Sequence, residues 1–412
     1  MLSKLQIRRR DVRNTHPPGR IALALLVLSF VATTASQFPL RPVATAQNVT
    51  TGTENSWETV VPGIEHLRIV RGHKSEVEST GPWLINLLRV DLTKARLRLV
   101  HGMDEAVGLE TVSSLAARYD AVAAVNSGYF RTTGTYRGES IGVAVLSGKL
   151  LSEPHNKRAA MGLIDAAGTT EVVFGHLNFS ASLQAGKPRS SYKRGVDGFN
   201  RPRGDNELIV FTPEFHRTTL TASDGLELIV RQGRVTEFRD HKGSSVIPPD
   251  GYVVSAAGKA REWAKKFTPG TRIKLVSSLI PLESDREALW QRAGDIIGGG
   301  PQLIRNGQIK ITAADEKMAA NFDTDRHPRT AVGKLADGKL LFVTVDGRQP
   351  GVSAGMPLSE LAALLLEWGT KDAINLDGGG STTMVIKNKI VNKPSDQTGE
   401  RPVSDAILIF AR

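Results

Sequence analysis

The chain has 412 residues, with 53 Lys and Arg against 42 Asp and Glu, 40 Gly, 20 Pro, no Cys and 40% hydrophobic residues, enough apolar chain to bury a core. Without Cys there are no disulfides, thiolate nucleophiles, Cys-based zinc sites, iron–sulfur clusters or lipid-anchoring thiol, so any chemistry falls to carboxylates, Arg, Lys, His, hydroxyls and backbone amides. The formal charge of +11 is concentrated in residues 1–46, which hold seven bases and one acid; the remainder is too dilute, with no basic run interleaved by aromatics, for a nucleic-acid surface.

Residues 1–46 read as an export signal: Lys4, Arg8, Arg9, Arg10, Arg13 and Arg20 precede the apolar run Ile21 to Val31, and small residues ending in Ala44, Thr45 and Ala46 follow. The run falls short of the roughly 20 residues that span a bilayer, so a removed signal is favoured over a permanent anchor. If uncleaved, this segment is the membrane attachment, since no later segment is apolar enough to cross. Either way the expected location is secreted, periplasmic or cell-envelope. Residues 47–56 are a polar linker, and structure is expected over 57–412 as one elaborated domain, with 57–120 its least distinctive part.

From there the spacing predicts strands over Leu84 to Asp91 and Ala95 to Val100, a helix over Val112 to Tyr119 and an apolar strand over Ala121 to Val125. Two hairpins follow. Ile141 to Val145 and Lys149 to Leu151 flank Ser147-Gly148, and Leu226 to Val230 and Arg234 to Phe238 flank Gln232-Gly233. A helix is expected near Gly258 to Phe267. Another is expected over Ser359 to Trp368, where Leu361, Leu364, Leu365 and Trp368 share a face and Gly369 follows as a stop. The fold class is α+β, β-dominated, with mixed sheets and a few helices.

Three places repeat one pattern, an apolar strand running into a polar residue with Gly close behind: Asn126-Ser127-Gly128, Asp346-Gly347-Arg348, and Asp377-Gly378-Gly379-Gly380-Ser381 with Asn375 just before. A plain turn accounts for Asp346. It does not account for Asp377, because a two-residue turn needs one Gly and extra glycines carry an entropic cost. Gly298, Gly299 and Gly300 form a further cluster, and Asp325-Arg326-His327-Pro328-Arg329-Thr330 places an arginine fork, suited to phosphate or carboxylate, beside a titratable imidazole. Gly138-Glu139-Ser140-Ile141-Gly142 has the GxSxG spacing of serine hydrolases, but a hairpin follows where that motif needs a helix. No glycine loop ends in GK[ST], and the nine His residues form no HExxH cluster. The sequence requires no cofactor. It identifies no metal ligands, and an oxygen-ligated Ca²⁺ or Mg²⁺ stays open.

Together and in order, AVNSGYF (124–130), GGGPQLIRNG (298–307), RHPRTAVG (326–333), VDGRQPGVSAGMPLSELAALLLEWG (345–369), AINLDGGGSTTM (373–384) and RPVSDAILI (401–409) resemble the phosphodiester glycosidase family. One departure is Ser127, where the family pattern more often has Gly. The resemblance implies hydrolysis of a sugar from a sugar-1-phosphodiester at the anomeric C–O bond, acting on a small sugar phosphodiester or a cell-surface glycan. It implies Asp377 as catalytic carboxylate, base or nucleophile, with Asp346 as the second carboxylate or a ligand to a substrate hydroxyl. It places the phosphate on Arg329, helped by Arg348 and His327. Asn126 and Asn375 would face sugar hydroxyls, and Gly128, Gly299, Gly300, Thr330, Gly378, Gly379, Gly380 and Ser381 would line the substrate. The competing reading is a non-catalytic carbohydrate-binding or exopolysaccharide-assembly protein using the same cleft.

Overall fold

In the computed structural model the described residues are 56–74, 81–187 and 190–412. The expected leader over 1–46 and nearly all of the 47–56 linker lie outside them. Strand exceeds helix by 45% to 11%, so the α+β, β-dominated expectation holds. The described strands form sheets of eight, seven, five and five strands. Every ladder is antiparallel except the short pairing of Gly198–Phe199 with Leu208–Phe211.

The eight-stranded sheet has at its centre Trp83–Val90, Leu340–Val345, Arg329–Leu335 and Thr370–Asn375, in that order. Its two faces separate by period-two alternation. Ile85, Leu87, Leu341 and Val343 pack under the helix Leu358–Glu367, while Leu88, Val332, Phe342 and Ile374 point the other way. That second face meets Leu99, Val125, Met384, Ile407 and Ile409 of a five-stranded sheet, whose own far side, through Val100, Ala124 and Leu408, packs on the helix Val112–Arg118. The result is helix, sheet, sheet, helix. The remaining two sheets build the middle of the chain around a separate core that includes Trp290 and Phe267. Among the described residues no helix is long and apolar enough to cross a membrane.

Local signals set most of these boundaries. Thr111 caps the first helix by accepting from Ser114 N at 3.2 Å, and the helix Leu358–Glu367 stops where Gly369 takes a φ of +83°. The hairpin turns at Ser147-Gly148 and Gln232-Gly233 carry positive φ at both residues, as a two-residue turn requires. The first expected hairpin starts later than its apolar run, at Ala144, because residues 141–143 leave the ladder to shape a loop.

The helix Leu358–Glu367 supplies a direct check on this layering. Leu361 is fully buried and Leu366 is 38% exposed on the same helix. Leu361→Ala is expected to lower unfolding free energy by ~2–5 kcal/mol and Leu366→Ala to change it by about 0.5 kcal/mol, both read from urea midpoints.

Candidate functional site

The site lies where two sheets run out together. Leu340–Val345 and Thr370–Asn375 flank Arg329–Leu335 antiparallel, so the ends of the first two and the start of the third share one rim. Ala123–Asn126 of the five-stranded sheet ends at the same rim. Past the last ladder bonds each backbone group still needs a partner, and here they find one another across the seam. Asp377 N donates to Ser127 O at 2.8 Å, Asn126 Nδ2 donates to Asp377 O at 2.7 Å, and Leu376 N donates to Thr330 O at 2.8 Å.

These bonds hold Asp377 by its backbone and leave its half-buried carboxylate to the site. Burial pushes that carboxyl up to about 6; the Ser381 hydroxyl, the Arg401 charge and the Gly378 N–H, which donates at 3.0 Å, pull it back down. The three glycines after it are needed for reasons of their own. A Cβ on Gly378 would lie 2.7 Å from Pro328 O, and one on Gly380 would lie 2.2 Å from both Arg401 and Asp396, which form an ion pair at 2.7 Å. Thus two of the glycines expected to admit a ligand instead admit the protein's own atoms. Gly379 has a φ of +58°, and the space its missing side chain leaves is faced by the Arg348 guanidinium at 3.1 Å.

Arg329 is 2% exposed, and two of its three side-chain nitrogens are engaged: Nε donates to Met356 O at 2.8 Å and Nη2 to Phe322 O at 2.9 Å and Asp325 O at 2.7 Å. Burial lowers its pKa to about 10. This arginine ties the 322–325 loop and Met356 to the rim. Arg348 is the exposed cation at the Asp377 turn; among the described residues it forms no ion pair, and its Nη2 lies 3.4 Å from His327 Nδ1. Burial, then the charges of Arg348 and Arg329, lower the His327 pKa, so this imidazole is neutral near pH 7.

Other expected residues also turn inward. Asn126 and Asn375 are fully buried. Asn126 Oδ1 accepts from Thr330 Oγ1 at 2.9 Å and Thr383 N at 3.0 Å, and Asn375 Nδ2 donates to Tyr129 Oη at 2.8 Å and Gly300 O at 3.1 Å. Both carboxamides, with the buried Thr330 hydroxyl, brace the rim, and the buried Asn375 Oδ1 has no hydrogen-bond partner among the described residues. Asp346 is 2% exposed, accepts from Lys393 N at 3.1 Å and from Asn392 Nδ2 at 3.3 Å, and is pushed up to about 6 by burial. Gly128 N donates to Asp405 Oδ1 at 2.5 Å. Gly299 N donates to Ala159 O at 2.8 Å, and Gly300 N to Asn375 O at 2.7 Å. Behind Gly300, Glu316 joins Ala159 N, Gln302 N and His176.

Three residues beside this rim carry no role in the sequence reading. Tyr129 donates to Gly300 O at 2.7 Å; burial, and then Asp377, push its pKa far up. Arg158 places its guanidinium carbon 5.1 Å from the centre of the Tyr129 ring, with Nε buried and unpartnered. Asp405 accepts from Ser127 Oγ, Gly128 N, Ser404 Oγ and Ser140 Oγ, and so fixes the segment on which Asp377 hangs. Tyr129 and Asp405 fall inside AVNSGYF and RPVSDAILI, so a signal existed for them; nothing local marks Arg158. Among the described residues no three His, Asp or Glu side chains gather as a metal site.

The GxSxG segment is a turn, and a hairpin follows it. Gly138 has a φ of +98°, and a Cβ there would lie 2.6 Å from Gly108 O, while Gly142 has a φ of +135°. Ser140 Oγ sits 3.3 Å from both His101 Nε2 and Asp405 Oδ2. A hydrolase triad needs the imidazole between hydroxyl and carboxylate; here the hydroxyl is in the middle.

The sequence profile of the phosphodiester glycosidase family matches residues 224–410. An N-acetylglucosamine-1-phosphodiester alpha-N-acetylglucosaminidase of Bos taurus is 36% identical over 113 residues, 24% of this chain and 20% of that enzyme. A prophage-derived Bacillus subtilis protein is 40% identical over 84 residues, 20% of this chain and 13% of its own length. These matches therefore span a fifth or less of either relative. The crystal structure of a Burkholderia pseudomallei protein, named as a candidate exported protein, superposes with a TM-score of 0.70 at 28% identity, covering 80% of this chain and 74% of that one.

The two arginines separate by stability. Arg329→Lys leaves buried carbonyls without donors and is expected to cost about 2 kcal/mol or more. Arg348→Met, at an exposed position, is expected to stay within about 0.5 kcal/mol. Urea unfolding of both variants measures the difference, and equal losses would contradict the assignment.

Proposed function

We propose that this chain, which resembles the phosphodiester glycosidase family across residues 224–410, is an exported hydrolase that releases a sugar from a sugar-1-phosphodiester by cleaving the anomeric C–O bond. The observation that carries the reading is the Asp377 turn: a half-buried carboxylate with a pKa of about 6, and two residues on Gly379, whose open side is faced by the exposed guanidinium of Arg348, which forms no ion pair among the described residues. The signal-like residues 1–46 support export.

A departing phosphodiester is a weak base and gains negative charge as an oxocarbenium-like sugar forms. Such a reaction needs a cation at the phosphate and an ionised carboxylate at the carbon more than it needs a strong general acid. Arg348 takes the first role in place of Arg329, with neutral His327 donating a hydrogen bond. Asp377 takes the second, as base on water or as nucleophile. Its backbone cannot drift, because Ser127 and Asn126 hold it on both sides, and such fixed placement is the part of catalysis that a fold supplies best. Asp346 has Lys393 N and Asn392 on its carboxylate, and this reading assigns it to positioning the rim.

With a chromogenic sugar phosphodiester, Asp377→Asn is expected to lower turnover roughly 10²–10⁴-fold, and reaction in ¹⁸O-labelled water to place the label in the sugar. Turnover within a few-fold of the parent, or label in phosphate, would sink the proposal. A base or nucleophile must be ionised, so activity is expected to fall as pH drops through about 6 and to keep that limb in Asp346→Asn.

A further inference from the structure

Behind Gly300 lies a cluster of buried charge that the proposed reaction does not use. His176, on the long strand Thr169–Lys187, stands between two carboxylates. Its Nδ1 lies 2.5 Å from Glu283 Oε1 and its Nε2 lies 3.1 Å from Glu316 Oε1. A neutral imidazole has one N–H and one lone pair, and a lone pair set against a carboxylate oxygen at such a distance is repulsive. Both nitrogens therefore carry hydrogen, and the ring is an imidazolium shared by two anions. Burial disfavours that charge, but the hydrogen bonds to Glu283 and Glu316 outweigh it and hold the His176 pKa up at about 9.

Glu316 is 1% exposed, and its carboxylate does more than neutralise the ring. It accepts from Ala159 N at 3.1 Å, from Gln302 N at 3.0 Å and from the Thr312 hydroxyl. These partners bracket the 298–301 segment: Ala159 O accepts from Gly299 N at 2.8 Å, and Gln302 follows Pro301. Gly300 has no room for a side chain, because a Cβ there would collide with Glu316 Oε2. The Gly300 carbonyl accepts from Tyr129 Oη at 2.7 Å and from Asn375 Nδ2 at 3.1 Å, and the same Nδ2 donates to Leu376 O at 2.6 Å, next to Asp377. A continuous series of contacts thus runs from the imidazolium to the Asp377 turn.

The other charges around the cluster are paired or turned outward. Arg286 and Arg305 reach Phe174 O at 2.8 and 3.5 Å, two residues before His176, and are matched by Asp372 and Asp285. Arg158, beside Ala159, turns its guanidinium to the Tyr129 ring. Lys310, Asp315, Lys317 and Lys371, on the neighbouring segments, are exposed. Burial raises the Glu283 carboxyl, but its bonds from His176 hold it below its ordinary value. The proton that leaves first as pH rises is therefore that of His176. Once it has gone, two carboxylates face a ring with a single N–H, and one of them loses its partner.

We propose that Glu316, oriented by the His176 imidazolium, is a positioning residue for the Asp377 turn, and that loss of the His176 proton sets the alkaline limit of turnover. The inference rests on the proposed reaction for what is turned over; the coupling between cluster and rim rests on the contacts alone.

The full chain tests it in two ways. With the chromogenic sugar phosphodiester, kcat is expected to fall as pH rises through about 9, beside the acid limb near 6. Glu283→Gln removes one anion from the ring and leaves Glu316, and is expected to move the alkaline limb down by about one pH unit or more. Arg329, at about 10, would give a limb that this variant does not move. Glu316→Gln is expected to lower kcat about tenfold with KM within about threefold; if its melting curve shows it unfolded, Glu283→Gln carries the test. A profile flat between about pH 7 and 10, an unmoved limb in folded Glu283→Gln, or unchanged kcat in folded Glu316→Gln would overturn the proposal. Without turnover, ¹⁵N NMR reads the coupling: in Asp377→Asn the His176 ring is expected to titrate as in the parent, with the Gly300 and Gly378 amides following the same midpoint. Titration of His176 with those amides unmoved would remove the coupling and leave the reaction. Turnover retained in Asp377→Asn beside amides that follow His176 would do the opposite.

Discussion

The site depends on the backbone of Asp377 being held across a seam. Its N–H is accepted by Ser127 and its carbonyl is met by Asn126, both from the five-stranded sheet, while Leu376 beside it is still bonded to Thr330 of the eight-stranded sheet. A residue at the end of one sheet is thereby fixed by the end of another. The side chain is left free of that duty and can sit in a half-buried place that raises its pKa to about 6. The same seam explains the buried polar residues around it: Asn126, Thr330, Asn375 and Asp405 satisfy backbone and hydroxyl groups that no ladder reaches.

Placement of charge follows from how much of each side chain the seam consumes. Arg329 starts its strand and points into the loop it must hold, so its donors go to three carbonyls. Arg348 lies on the outer turn with a φ of +58° and faces the open side of Gly379. The arginine that the sequence reading put first is thus a tie, and its expected helper is a cation with no ion pair among the described residues. The two carboxylates divide likewise. Asp346 is closed off by Lys393 and Asn392, whereas the Asp377 carboxylate accepts the backbone N–H of its own neighbour, Gly378.

Much of the fold was legible because local rules dominate there. Alternation marked the central strands, and the i, i+3, i+4 leucines with Gly369 marked the helix Leu358–Glu367. Ser147-Gly148 and Gln232-Gly233 marked both hairpins, and each pair takes φ > 0. Three successive glycines marked the turn after Asp377 in the sequence, yet the structural reason for two of them was not visible there. Gly378 and Gly380 make room for Pro328, Arg401 and Asp396, all distant in the chain. Arg158 was invisible for the same reason: its significance comes from the Tyr129 ring beneath it.

Residue types, strand and helix periods and the glycine-rich turn after Asp377 were determined by the sequence alone, since each depends on neighbours within a few positions. Which arginine lacks an ion pair among the described residues, and which carboxylate keeps some exposure, were decided only by tertiary structure. Hydrogen-bond capacity is finite, and only the folded chain shows which distant carbonyls have already taken it.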